Sequence, residues 1–143
     1  MPASLRGVGA VGVAIDSSFF IDFSRRRPAA LRKLEELEGR SEPLVLPTPV
    51  IYEVLAGILH TRSRTQATRF RGYAARFQIA PLDLAAAERA AEVRAELLRV
   101  GRVKGGADIL TAGIALAGGH SLVTRDNVFH HIAEATGLHL ESY

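Results

Sequence analysis

Short apolar runs alternate with longer amphipathic stretches along almost the whole chain, and this alternation narrows the fold more than any other feature. Residues 11–15 read as a short buried strand, and 17–24 and 28–38 as two short helices, the second with leucines at 31, 34 and 37. A second strand is expected at 44–46. Thr48 followed by Pro49 marks a helix start, with the threonine as cap and proline at the first helical position, where its missing N–H is harmless. That helix carries Val50, Glu53, Val54 and Ile58. An arginine-rich helix is expected at 65–75 and a third strand at 77–80. Asp83 then caps a long helix over 84–100. A buried helix at 107–117, a strand at 121–124, a helix at 128–136 stopped by Gly137 and a last strand at 138–142 complete the series. Strands separated by helical crossovers predict an α/β fold with a central, mostly parallel sheet. Right-handed crossovers then place helices on both faces, as three layers.

A chain of 143 residues suits one domain over 1–143 and buries a core without covalent staples. Residues 1–10 are expected to be a loose leader. The run from 7 to 15 is short and broken by glycines, which argues against a signal peptide, and no stretch is long and apolar enough to span a bilayer. A cytoplasmic protein with no membrane partner is expected. Cysteine is absent, which excludes disulfides and thiolate metal sites. The net charge is only +3, but all the basic residues except Lys33 and Lys104 are arginine, whose planar fork fits phosphate at two points. Charge therefore permits a nucleic-acid partner without requiring one.

Most acidic residues have a simple structural place. Glu35, Glu36 and Glu38 lie on a solvated helix. Glu88, Glu92 and Glu96 interleave with Arg89, Arg94 and Arg99 as surface ion-pair patterning, and Glu42, Glu134 and Glu141 read as exposed. Asp16, Glu53, Asp108 and Asp126 differ. Asp16 and Asp126 fall at the carboxyl ends of expected strands, the edge where open parallel sheets bind ligands. Asp108 begins an apolar helix, and Glu53 lies among Val50, Tyr52, Val54 and Leu55. Each aspartate also fits an ordinary helix N-cap, and Glu53 also fits a lone edge residue. Gathered in one site, however, these carboxylates would repel one another until one took up a proton or a cation entered. Oxygen donors alone suit a hard ion, Mg2+ or Mn2+, able to activate water.

Four segments carry a resemblance: Ile15-Asp16-Ser17-Ser18-Phe19-Phe20-Ile21-Asp22, Pro49-Val50-Ile51-Tyr52-Glu53-Val54, Ala107-Asp108-Ile109-Leu110-Thr111-Ala112 and Leu122-Val123-Thr124-Arg125-Asp126-Asn127-Val128-Phe129. In this order, over nearly the whole chain, they resemble PIN-domain ribonucleases, and among them the VapC-type toxins of toxin–antitoxin operons. The resemblance implies a PIN-like three-layer fold and endonuclease activity on RNA. It also implies Mg2+ or Mn2+ held by Asp16, Glu53, Asp108 and Asp126, with Ser17 or Ser18 and Thr124 as hydroxyls lining the catalytic site. Thr124 also fits a plain strand-end residue. The chain departs from the pattern just before Asp108, where many relatives carry an acid or polar residue and this one has Lys104-Gly105-Gly106.

Among the arginines, Arg25 to Arg27 and the 65–75 helix, with Arg69 and Arg71, are candidate RNA contacts or antitoxin contacts, and equally fit solvated surface. Phe19, Phe20 and Phe23 read as core or as part of a partner groove with Leu31. Asp22 reads as an exposed helix residue, and Arg125 as a partner for a neighbouring acid. His130 and His131 read as exposed or capping. The resemblance further implies a homodimer and a small antitoxin protein as partner. Three other readings compete: a receiver-type phosphoacceptor domain, whose paired acids after the first strand are missing here; a PIN-like domain that binds without cleaving; and a housekeeping RNA-processing nuclease.

Overall fold

One sheet organises the chain. The computed structural model describes residues 11–102 and 105–143. The strands are β1 (Val13–Ile15), β2 (Leu44–Pro47), β3 (Gln78–Ala80), β4 (Ser121–Val123) and β5 (Leu140–Glu141). They pair in the order β3-β2-β1-β4-β5, every neighbouring pair parallel. The connecting helices are α1 (Ser17–Ser24), α2 (Pro28–Glu38), α3 (Thr48–Thr61), α4 (Arg64–Ala74), α5 (Leu84–Arg99), α6 (Gly106–Gly118) and α7 (Val128–Thr136).

The side-chain alternation of β1 sorts these helices into two layers. Val13 and Ile15 point to a core shared with Leu46, Val123 and the apolar faces of α1 to α4. Ala14, between them, points to the opposite core, with Val45, Leu122 and residues of α5 to α7. A strand covered on both faces must be apolar at every position, which is why Val-Ala-Ile reads as an unbroken run. The three-layer α/β expectation therefore holds.

The strand order also creates a crevice. The chain runs from β1 outward to β2 and β3, then returns to place β4 and β5 on the other side of β1. The carboxyl ends of β1 and β4 stand side by side in register, Ile15 opposite Val123, at the point where the winding reverses. Ligands of open parallel sheets bind at such points. Asp16 and Thr124, the next residues of each strand, emerge together there, and the Asp16 amide donates to Val123 O at 3.1 Å.

Several sequence expectations change in detail. Val11 is exposed, so β1 begins two residues later than expected. Thr48 does not cap α3: Pro47 holds that position, and Thr48 Oγ1 accepts from the Leu82 amide at 3.3 Å, tying the loop after β3 to the start of α3. Glu141 is not exposed. Its side chain is largely covered and accepts from Lys33, Arg40 and Ser121, which outweigh the raising effect of burial and bring its pKa down to about 2. The expected leader at 1–10 and the departure at Lys104 lie outside the described residues.

Candidate active site

Asp16 is the most constrained polar group at the crevice. It is 1% exposed, at the N-cap position of α1, yet its side chain makes no capping bond. Its Oδ2 accepts instead from Ser18 Oγ at 2.9 Å and from Thr124 Oγ1 at 2.8 Å, and its Oδ1 faces Ser17 Oγ at 3.5 Å. Thr124 Oγ1 also accepts from the Asp126 amide at 2.9 Å. One hydroxyl thus fixes the Asp16 carboxylate and the turn that carries Asp126, so Thr124 is more than a strand-end residue.

The other acids approach from separate elements. Glu53 lies in the second turn of α3, and Asp108 in the first turn of α6, whose N-cap is Gly105; neither caps a helix. Both are half-buried and both resist ionising. Burial raises the Glu53 pKa, the negative charges of Asp108 and Asp16 add to the rise, and Ser17 partly opposes it. Asp108 is pushed up to about 6 by burial and by the charges of Asp16 and Asp126. The Glu53 Oε1 atom is buried without a hydrogen-bond partner. Asp126 is exposed, and its Oδ1 accepts from the Val128 amide at 3.0 Å; the N-cap of α7 is Asn127, so Asp126 braces the turn before the helix and does not cap it. The fold therefore brings the four acids within electrostatic reach of one another. Among the described residues it does not gather any three of them into a closed cage of metal ligands.

The remaining candidates divide. A cleft of about 640 Å3 lies beside Glu53 between α1, α3 and α4, with Phe20, Val54 and Phe70 in its walls and Arg25 and Arg69 among its lining residues. Arg26 and Arg71 are exposed outside that lining. Of the aromatic stretch read as a groove, Phe19 and Phe23 are core and only Phe20 reaches the cleft; Leu31 packs against the same core. Asp22 corrects the sequence reading most clearly. It is buried, because Arg125 and Tyr143 close over it. Burial alone would raise its pKa, but hydrogen bonds from Tyr143 and Arg125 outweigh that and hold it low. The pairing of Arg125 with an acid was legible, but the acid and the role of Tyr143 were not. His130 is exposed, as expected.

The raised Asp108 pKa has a measurable consequence. The group ionises at 3.8 when unperturbed and at about 6 in the fold. Between those values the folded state binds more protons than the unfolded state, so this group makes stability fall as pH rises through that window. In buffer free of divalent cations the loss is expected to be on the order of 1 kcal/mol once solvent screening is allowed for. Glu141 acts in the opposite sense at lower pH, so the comparison is with Asp108→Asn, which keeps the Glu141 contribution. Denaturant titrations at several pH values should show a steeper fall in wild type than in the variant, where only the raised Glu53 pKa still acts in that sense. Parallel curves would mean that Asp108 ionises normally.

A search of curated protein sequences finds no match. The fold is similar to that of VapBC2 from Rickettsia felis bound to a promoter DNA fragment, with a TM-score of 0.81 at 20% identity over 92% of this chain and 98% of that one. It is similar to VapBC-1 from nontypeable Haemophilus influenzae, with a TM-score of 0.78 at 18% identity over 91% and 96%. It is also similar to VapBC-5 from Mycobacterium tuberculosis, with a TM-score of 0.68 at 25% identity over 93% and 97%. The PIN domain family model matches residues 13–135, which takes in every acid of the crevice. The chain belongs to the PIN-domain family of nucleases.

Proposed function

We propose that the chain is a Mg2+- or Mn2+-dependent endoribonuclease of the VapC type, the toxin of a toxin–antitoxin pair, working as one domain in the cytoplasm. Asp16, Glu53, Asp108 and Asp126 are the residues that would hold the cation. The observation that carries this reading is a set of carboxylates that resist ionising: burial first, and then repulsion from the neighbouring acids, raises the pKa of Glu53 and of Asp108, and Glu53 Oε1 is buried without a partner. A cation relieves that repulsion and satisfies the orphaned oxygen. Oxygen-only donors, with no cysteine in the chain, suit a hard ion.

When bound, such an ion lowers the pKa of a water and stabilises charge on phosphate oxygens. The chain's own residues set the geometry for RNA phosphodiester hydrolysis. Ser18 and Thr124 hold Asp16 from two elements, and Thr124 also anchors the turn of Asp126. Ser17 lies between Asp16 and Glu53, where its hydroxyl can meet substrate. Arg25 and Arg69 in the cleft wall, with Arg26 and Arg71 further out, are proposed to meet backbone phosphates and offset the repulsion of an acidic site.

The cleft between α1, α3 and α4 fits an amphipathic segment of a small antitoxin protein, with apolar anchors on Phe20 and Phe70 and acidic groups on Arg25 and Arg69. The structural relatives named above are VapBC complexes, which favours that partner. A homodimer is proposed through exposed Tyr52, Ile79, Leu82 and Leu84, near the free edge of β3. A small neighbouring gene for a DNA-binding antitoxin separates this toxin reading from a housekeeping RNA-processing nuclease. No helix among the described residues is long and apolar enough to cross a membrane.

The deciding experiment uses protein stripped of divalent cations and a panel of single-stranded RNAs. No cleavage is expected until Mg2+ or Mn2+ is restored. Full activity in excess chelator would refute the metal-dependent reading, and RNA binding without cleavage under any divalent ion would favour a non-cleaving PIN-like domain.

A further inference from the structure

Asp22 is a buried carboxylate that the acidic crevice does not use. It lies one turn beyond Ser18 on α1, so the two share a helix face. That face grips a single residue of the β4–α7 turn. Ser18 Oγ accepts from the Arg125 amide at 3.4 Å, and Asp22 accepts from the Arg125 side chain at two points, Nε to Oδ2 at 2.5 Å and Nη2 to Oδ1 at 3.2 Å. Tyr143 OH donates to the same Asp22 Oδ2 at 2.7 Å, while its ring packs edge-on against Phe19 with centroids 4.9 Å apart. The clamp is therefore buried, with the Asp22 side chain 7% exposed, but the Arg125 side chain it holds is 61% exposed. Neither bond to Asp22 uses Nη1.

Stability accounts for only part of this arrangement, although the bonds from Tyr143 and Arg125 do outweigh the burial of Asp22. An ion pair with one partner in solvent contributes little, and a buried carboxylate carries a desolvation cost. Its main effect is to immobilise a surface arginine between Thr124 and Asp126, the two residues that frame the crevice on the β4 side. We propose that Arg125, clamped by Asp22 and Tyr143, contacts a backbone phosphate of the bound nucleic-acid strand beside the acidic site; this assignment rests on the nuclease reading above. A planar guanidinium whose inner edge is occupied by a carboxylate keeps donors free for a phosphodiester oxygen. Fixing the side chain in advance removes the ordering cost that a free surface arginine would meet on binding. The flanking acids repel RNA, so a fixed cation in their midst also sets where the strand can lie.

The test uses an oligoribonucleotide that wild type cuts at one place, so that register is defined. A series is made in which one linkage at a time is an uncharged methylphosphonate, and affinity is measured by fluorescence anisotropy in the inactive Asp16→Asn background. With Arg125 present, one linkage near the cut is expected to lower affinity about tenfold when neutralised, as for a lost charged hydrogen bond. In Arg125→Gln, affinity for the native RNA should fall by about the same factor, and the penalty at that one linkage should vanish while the others persist. If Arg125→Gln fails to fold because Asp22 is left unpaired, the double variant Asp22→Asn, Arg125→Gln removes the buried charge and is read in the same way. A penalty profile identical with and without Arg125 overturns the assignment and leaves Arg125 as a latch on the turn. Wild type that cuts no RNA in the panel overturns the nuclease reading and this assignment with it.

Discussion

Asp16→Asn is expected to lower RNA cleavage by about a thousandfold or more while leaving the fold intact. The substitution keeps the shape of a side chain that is 1% exposed. Its amide oxygen can take the place of Oδ2 and accept from Ser18 Oγ and Thr124 Oγ1, as the carboxylate does at 2.9 and 2.8 Å. The hydrogen bonds that lock α1 to the end of β4 therefore survive, and what is lost is the charge. That charge is what a divalent ion at the crevice needs, and it is also part of what raises the pKa of Glu53 and Asp108. In the absence of divalent ions the variant should consequently be as stable as wild type or more stable, by up to about 1 kcal/mol. Single-turnover cleavage at saturating RNA, paired with thermal unfolding with and without Mn2+, reads both effects. Turnover within about tenfold of wild type would mean that the reacting phosphate lies elsewhere.

The acids of the crevice were legible because each is placed by local pattern. In a parallel sheet the residue after an apolar strand must reach the carboxyl edge, and Asp16 and Asp126 follow Val-Ala-Ile and Leu-Val-Thr-Arg. Asp108 and Glu53 each stand near the start of an apolar helix whose spacing is equally local. The hydroxyl partners of Asp16 were half visible, since Ser17 and Ser18 follow it directly, but the bond from Thr124 joins positions 108 residues apart. Asp22 was misread for the same reason. A carboxylate on an eight-residue helix looks solvated until Arg125 and Tyr143 arrive from more than 100 residues away. Thr48 reads as a cap because nothing local reveals that Leu82 will present its amide across β2 and β3. Pattern thus places elements and their ends, whereas the partners of a buried polar group depend on how the sheet is ordered.

The packing of α6, the helix that carries Asp108, yields the largest expected stability effect. Gly113 lies on its buried face, and a Cβ built there would stand 2.6 Å from Ala86 O, 2.7 Å from Ala90 Cβ and 2.9 Å from Ala90 N, all on α5. Two of these three atoms are backbone, so no side-chain rotation relieves the contact. Ala86 and Ala90 are themselves small and buried, which is how α5 and α6 approach closely enough to make the most extensive helix contact in the fold. Two effects then oppose each other in Gly113→Ala. Helix propensity favours alanine by about 1 kcal/mol, and overpacking against backbone costs about 1–3 kcal/mol. Overpacking should win, with a net loss of up to about 2 kcal/mol, and Gly113→Leu should not fold at all. Gly57 supplies the control. It sits in the interior of α3 with nothing within 4 Å of its built Cβ, so Gly57→Ala should gain close to the full propensity term, about 1 kcal/mol. The same chemical change is therefore expected to move the urea midpoint in opposite directions at the two sites. Turnover should fall in Gly113→Ala as well, because pushing α6 away from α5 carries Asp108 with it. Midpoints that rise together would mean that α5 and α6 stand further apart than this contact requires.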